Sequence, residues 1–187
     1  MRLIAAAVAV IACVTLSAQP VQLAPGVHLL RGTFTPGSQP DGNSVIIEGR
    51  RGFAVVDTGR HAAHSEAIAA FITSERRPLE AIVNTHWHLD HLGGNVLLRE
   101  RFPDVRVFAS DAYAGARTGF LARSRNSLEE QLARLNDDPD AQKALRHELA
   151  LIDSGDALAP DTVIEKSRGL RLAGRRVRVG LETNAVT

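Results

Sequence analysis

Apolar and polar residues along this chain follow two periods, one typical of strands and the other of helices. Short apolar stretches bounded by Gly, Pro or Asp predict strands over residues 27–31, 43–48, 52–56, 81–84, 105–109, 162–166, 169–172 and 175–179. A helical repeat predicts helices over residues 62–74 and 94–101 and through most of 110–152. Strands that alternate with helices, followed by further strands, predict a mixed α/β domain.

The long helical stretch 110–152 carries its own start signals. Ser127 and Glu130 match a capping box, and Asp138-Pro139 is typical of a helix start with proline in its first turn. We expect this region to cover one face of the sheet. A lid over a functional site is the alternative.

The amino end differs from the rest of the chain. One early positive charge at Arg2 precedes an apolar run over residues 3–16, and small residues follow at Ser17-Ala18. This order is typical of a secretory signal peptide over residues 1–18, with the domain over 19–187 and export, for example to a bacterial periplasm. The run is short for a membrane-spanning helix, so we expect no such span in the mature chain.

Two alternatives to a cleaved signal peptide remain. Val10-Ile11-Ala12 precedes Cys13 as in a bacterial lipoprotein signal, which would leave Cys13 lipidated, and a buried amino-terminal helix is the other. Cys13 is the only cysteine, so no disulfide framework and no thiolate metal site is expected. Any metal must be bound by His, Asp or Glu.

Bulk composition narrows the class of partner. Hydrophobic residues make up 44% of the 187 residues, enough for a core, and the formal net charge is +1. Because there is no basic excess to neutralise phosphates, nucleic acid is not an expected partner.

Three of the seven histidines lie together after the apolar stretch 81–84. His86, His88, Asp90 and His91 combine imidazole nitrogens with a carboxylate, the ligand set that suits zinc and similar divalent metals. In an extended segment His86 and His88 would point the same way and Trp87 the opposite way, into the core. A polar loop without metal, and a pocket role for Trp87, are the alternatives.

The pattern His86-x-His88-x-Asp90-His91 resembles the signature of the metallo-β-lactamase-fold hydrolases. The segment 54–59, ending in Asp57-Thr58-Gly59, is similar to another early motif of that family, and Gly93-Gly94-Asn95 matches what often follows the signature. The resemblance spans about residues 27–179. It implies an αββα sandwich with the active site at the edge between two sheets.

The resemblance also implies roles for the site residues. His86 and His88 would bind a first zinc ion, and Asp90 and His91 a second. Asp90 would be the catalytic residue, placed to orient the attacking hydroxide or to take up a proton. Asp57 would be a buried carboxylate that steadies the signature loop without binding metal. A simple turn residue before Gly59 is the alternative for Asp57.

The family pattern departs from this chain downstream of the signature. It requires a further histidine, a bridging aspartate and a last histidine, whereas the only histidine after His91 is His147, in a predicted helix. We therefore expect only the first half of the αββα fold, as a fragment or a shortened product. Two residues per ion should bind metal loosely. An uncovered sheet face would also favour self-association.

Three functional hypotheses follow. The first is an exported zinc-dependent hydrolase, with two ions in a complete protein, that uses a metal-bound hydroxide on an ester, thioester, lactone, lactam or sulfate ester. The second is an iron-dependent relative that oxidises sulfur compounds through two histidines and a carboxylate. The third is a truncated chain with weak metal binding and little activity.

The remaining basic residues carry weaker signals. His61 and His64 are three apart at a helix start, a spacing that suits metal, but we expect solvated histidines there. His28 and His147 carry no signal. The arginines of the last two predicted strands are expected to form a solvated face, with anion binding as the alternative; they are Arg168, Arg171, Arg175, Arg176 and Arg178.

Overall fold

The computed structural model describes residues 19–135 and 137–182. The predicted signal segment 1–18 and its alternatives at Cys13 lie outside the described residues, as do residues 183–187. Within the described ranges, none of the helices combines the length and apolar character that a membrane crossing requires.

Seven strands form one sheet in which spatial order follows chain order. The first three pairs of neighbouring strands are antiparallel and the last three are parallel. The strands are β1 (Val21–Ala24), β2 (Val27–Leu30), β3 (Ser44–Glu48), β4 (Phe53–Val56), β5 (Leu79–Val83), β6 (Arg106–Ala109) and β7 (Thr162–Val163). The pairing changes at β4 because a helix, rather than a tight turn, connects it to β5. The predicted strand 162–166 is shorter than expected, and β1 was not predicted.

Helices lie in the connections that follow β4, β5 and β6. They are α1 (Ala62–Ser74), α2 (Leu89–Leu92), α3 (Asn95–Arg101), α4 (Ala112–Ala116), α5 (Ala122–Arg134) and α6 (Pro139–Asp153), with a π-helical turn at Arg117–Leu121 and a 3₁₀ turn at Gly155–Leu158. Helix α1 has the predicted bounds. Asp138 caps α6 as predicted, since its carboxylate accepts the Ala141 N–H at 2.9 Å. The capping box at Ser127 and Glu130 is wrong, because both residues lie inside α5, which continues from the π-helical turn.

One face of the sheet is covered by α1 and α3. Ile68 and Ile72 of α1 are fully buried against strand residues Val55, Ile82 and Val107, and Leu98 of α3 joins them. The helical period of α1 and the two-residue period of the strands therefore meet in one apolar layer.

A two-stranded hairpin covers the other face. Strands β8 (Arg168–Leu172) and β9 (Arg175–Val179) are antiparallel, joined at Ala173-Gly174 where both residues have positive φ. Leu170 and Leu172 pack against Ala54 and Ala81 of the sheet. The five arginines of the hairpin are exposed, which confirms the predicted solvated face.

The helical region after β6 forms a cluster of its own at one end of the sheet. Leu89 and Leu92 of α2 are buried with Tyr113 of α4, Leu121 and Leu158. The Tyr113 hydroxyl also donates to the Gly155 carbonyl at 2.7 Å. The cluster consists of helix and loop residues, so this region packs on α2. The expectation that it covers one face of the sheet is therefore wrong.

A close approach of two backbones explains Gly94, which lies just before α3. A Cβ atom there would lie 2.3 Å from the Thr58 carbonyl oxygen, whereas one at Gly115 in α4 would meet nothing within 4 Å. We expect Gly94→Ala to lower the free energy of unfolding by about 2 kcal/mol or more. Gly115→Ala, the matched control, should raise it by about 0.5 kcal/mol. Denaturant unfolding measures both, and equal effects at the two positions would contradict this packing.

Candidate metal centre

The site begins where the parallel strands β4 and β5 end. Val56 pairs with Val83, so the residues that follow them, Asp57 and Asn84, emerge at the same edge of the sheet. The Asp57 N–H continues the ladder by donating to the Val83 carbonyl at 3.0 Å. Parallel pairing therefore brings the two sequence motifs together, although they are far apart along the chain.

Asp57 has an unusual backbone and a fully engaged carboxylate. Its φ is +58°, a left-handed conformation that Asp tolerates better than most residues. Oδ1 accepts the Thr85 N–H at 2.8 Å, and Oδ2 accepts the Thr85 hydroxyl at 2.7 Å. Oδ2 also lies 2.8 Å from Nδ1 of His91, and the residue is buried. One carboxylate thus connects β4, the loop after β5 and α2.

The segment that carries the histidines is a loop followed by one helical turn. Strand β5 ends at Val83, His88 is the residue that precedes α2, and Asp90 and His91 lie within α2. The expected alternation along an extended segment is therefore wrong. The rings are nevertheless clustered, with the His86 centroid 4.7 Å from that of His88 and 4.1 Å from that of His91.

Trp87 lies on the side of this loop that faces the helical region. It packs against the cluster around α2, as expected for a core residue. Its ring also contacts the ring of His88, at 4.4 Å between centroids, and that of the exposed Phe120 at 5.4 Å. The indole therefore supports His88 and does not point away from it.

A buried amide network supports the backbone of α2. Asn95 is fully buried and donates to Asn84 Oδ1 at 2.8 Å, while it accepts the Thr58 hydroxyl at 3.1 Å. The His91 carbonyl accepts from Asn84 Nδ2 at 3.0 Å and from the Thr58 N–H at 2.8 Å. These bonds hold the His91 backbone in place, independently of the contacts made by its ring.

The donor types fit a divalent metal ion, but their present arrangement does not enclose one. His91 Nε2 lies 3.2 Å from Asp90 Oδ2, so two of the predicted ligands bond to each other. Among the described residues, no group of three or more His, Cys, Asp or Glu side chains is arranged to hold an ion. The bond from His91 Nδ1 to Asp57 leaves Nε2 as the nitrogen that an ion could take. Metal binding would replace the Asp90–His91 contact.

The titration behaviour of the cluster follows from its burial and its neighbours. Burial, together with the nearby His91 and His88, lowers the pKa of His86 and favours its neutral form. Burial opposes the charged forms of Asp90 and His91 as well. Hydrogen bonding to His91 nevertheless lowers the pKa of Asp90, and the bonds to Asp57 and Asp90 raise the pKa of His91 to about 9. A neutral imidazole such as His86 is the form that binds metal.

Arg60 extends the site toward α6. Its guanidinium lies 3.7 Å from Asp90 Oδ1 and forms a close ion pair with Glu148. Sequence reasoning missed both residues. Arg60 follows the Asp57-Thr58-Gly59 motif, which was a weak signal, whereas nothing local marks Glu148, 88 positions further along the chain.

The prediction of solvated histidines is wrong for His64, whereas the side chain of His61 keeps 29% of its surface exposed. His64 is only 5% exposed, and one of its ring nitrogens lies 2.8 Å from the Ser44 hydroxyl. The His61 ring bonds to Asp41 at 3.1 Å and stacks on His147 at 5.2 Å between centroids. The loop before β3 supplies Asp41, which accepts hydrogen bonds from the Arg60 and His61 backbone, and so it encloses this helix start.

Comparison with known proteins identifies the family. Residues 38–165, more than half of the chain, match the family model described as the metallo-beta-lactamase superfamily. The chain belongs to this superfamily. A metallo-beta-lactamase from Pontibacter korlensis aligns with a TM-score of 0.55 and 18% identity, over 86% of this chain and 58% of that one. The predicted family and the predicted α/β fold class are confirmed. The match covers only part of the neighbour's fold, as expected.

Curated relatives in the superfamily match over shorter lengths. A hydroxyacylglutathione hydrolase from Thermosynechococcus vestitus is 44% identical over 62 residues, 33% of this chain and 23% of its own length. A linear primary-alkylsulfatase from Pseudomonas sp. is 26% identical over 144 residues, 71% of this chain and 27% of its own length. The chain thus spans about a quarter of the length of these relatives.

The hydrogen bonds of Asp57 predict its effect on metal binding. Asparagine also tolerates positive φ, so Asp57→Asn removes the charge and the acceptor for His91 while it keeps the backbone. We expect zinc affinity to fall by about 10- to 100-fold, measured by competition with a chromophoric chelator. Asp156→Asn, at an exposed aspartate, is the control. Unchanged affinity in Asp57→Asn would make Asp57 a simple turn residue.

The burial of His64 predicts a pH dependence of stability. Burial is the main cause that lowers its pKa, and His61 adds to it, while Asp41 opposes. Because the unfolded state then binds the proton more tightly, the stabilisation is complete above a pH of about 6.5 and is lost as the pH falls below it. Urea unfolding at pH 7.5 and 5.5 should show a smaller loss in His64→Gln than in the wild type. Equal losses would show that His64 does not contribute.

Proposed function

We propose that this chain contributes part of the active site of a metal-dependent hydrolase, with zinc as the expected metal. The observation that carries the proposal is the clustering of His86, His88, Asp90 and His91 at the carboxyl end of β5, with Asp57 tethering His91. Membership of the metallo-β-lactamase superfamily supports it. The activity belongs to the whole protein, since the matches cover only 23% and 27% of the lengths of these relatives.

The residues divide into two pairs in this proposal. His86 and His88 would hold one ion, and Asp90 and His91 a second. When bound, such ions supply Lewis-acid chemistry that activates water and stabilises developing negative charge. Asp57 keeps the His91 proton on Nδ1. The Asp90 carboxylate would orient the nucleophile or accept its proton, which is the catalytic role expected from the signature.

The substrate class is a small molecule with a hydrolysable acyl or sulfate ester bond. The names of the relatives support two candidates: a hydroxyacylglutathione thioester and a primary alkyl sulfate. Esters, lactones and β-lactams share the same electrophilic chemistry and stay within the proposal. The motif indicates a metal site, but it gives no information about the leaving group of the substrate.

The proposal is tested with the purified whole protein that contains this sequence, supplied with zinc and then freed of excess metal. We expect bound zinc by metal analysis and hydrolysis of at least one of three probes: a lactoylglutathione thioester, dodecyl sulfate or a chromogenic β-lactam. The His86→Ala, His88→Ala double variant should lose the zinc and the turnover, because both proposed ligands of one ion are removed.

His28→Gln is the control for histidine replacement, since His28 lies in β2 and contacts Phe71. It should keep the zinc and the activity. A wild-type protein that is folded but binds no zinc, or a double variant that retains full turnover, would contradict the proposal. Stoichiometric iron with redox activity would favour the sulfur-oxidising alternative instead.

Export is a separate proposal. Its support is the sequence of residues 1–18, with Arg2 before an apolar run and small residues at Ser17-Ala18. The described domain would then begin at residue 19. Zinc binding by the described residues does not depend on export.

A further inference from the structure

The Arg60 side chain lies between two carboxylates and is nearly buried. Its exposed fraction is 10% and that of Glu148 is 13%. The guanidinium is in close contact with Glu148 and 3.7 Å from Asp90. Its Nε also donates to the Pro40 carbonyl at 3.2 Å, which fixes the side chain from a third direction.

Helix α6 delivers Glu148 to this point through more than one contact. The neighbouring His147 stacks on His61 with an interplanar angle of 13°. Buried Leu151, one turn further along, belongs to the apolar cluster that contains Leu89 and Leu92 of α2. The helix is therefore attached both to the start of α1 and to the turn that carries Asp90 and His91.

The charge of Arg60 opposes the proposed role of Asp90. A guanidinium is always protonated and repels a divalent cation that shares its carboxylate partner. It also competes for that carboxylate by forming an ion pair. Glu148 supplies the compensating negative charge and holds the guanidinium by its other side, in a largely water-excluded place where such a charge has a large effect.

We propose that Glu148 of α6 neutralises and positions Arg60, and so keeps the Asp90 carboxylate available to a divalent cation. Glu148 is a positioning residue in this account, because it acts through Arg60 and touches neither substrate nor ion. The inference rests on the proposed function, since it concerns the ion that Asp90 and His91 would bind. Glu148 lies 88 residues after Arg60, so the helical region would take part in metal binding by the loop.

A double-mutant cycle on metal affinity tests the inference. The cobalt and zinc dissociation constants of the wild type, Glu148→Gln, Arg60→Gln and the double variant are measured by chelator competition, without any substrate. Glu148→Gln keeps the shape but leaves Arg60 uncompensated, so we expect affinity to fall roughly tenfold. Removing Arg60 as well should restore the affinity to within about twofold of the wild type.

Asp153→Asn is the matched control. It removes another α6 carboxylate from an arginine pair, with Arg125, but at an exposed position. It should leave metal affinity unchanged. Thermal unfolding of each variant reports whether the fold is kept. If Glu148 acts by compensating the charge of Arg60, metal affinity recovers in the double variant. If Glu148 has a structural role instead, removing a second side chain would not restore the affinity.

The outcomes separate this inference from the proposed function. A wild type that binds no cobalt or zinc overturns both. A wild type that binds metal, with Glu148→Gln within twofold of it, overturns the role of Glu148 and leaves the hydrolase proposal intact. A double variant that binds as weakly as Glu148→Gln shows that Glu148 acts independently of the Arg60 charge, which also contradicts the inference.

Discussion

The carboxylate of Asp57 is the constraint on which the rest of the site depends. Three donors from two separate segments, Thr85 N–H, the Thr85 hydroxyl and the His91 ring, share its two oxygens. Parallel pairing of β4 and β5 brings it to them, and its left-handed backbone turns it inward. Strained backbone of this kind persists where surrounding contacts hold it, and here those contacts come from the loop that carries the histidines.

The loop itself has little regular structure, so its geometry comes from its neighbours. The side chain of Asp57 orders Thr85 and His91 on one side, and Asn84 with Asn95 orders the His91 backbone on the other. Each buried polar group in this set has a partner, as burial requires. The result is a set of imidazoles that contacts with the surrounding protein hold close together.

Local patterns predicted the parts of the structure that local forces determine. The bounds of α1 and the cap at Asp138 follow from helical period and capping chemistry. The capping box at Ser127 failed because helix signals inside a long helical stretch do not mark its ends. His64 was misjudged because its burial comes from Ser44 and from the close approach of Gly59, which the helix sequence does not encode.

The same distinction explains which site residues could be found. His86, His88, Asp90 and His91 lie within one short segment, so their chemistry is visible in the sequence. A role for Arg60 and Glu148 could not be predicted from the sequence, because the guanidinium and the carboxylate meet only when α6 packs on α2. The signature therefore indicates which kind of ion the loop is proposed to bind. The charges around it are brought together by tertiary packing, so they can be identified only from the fold.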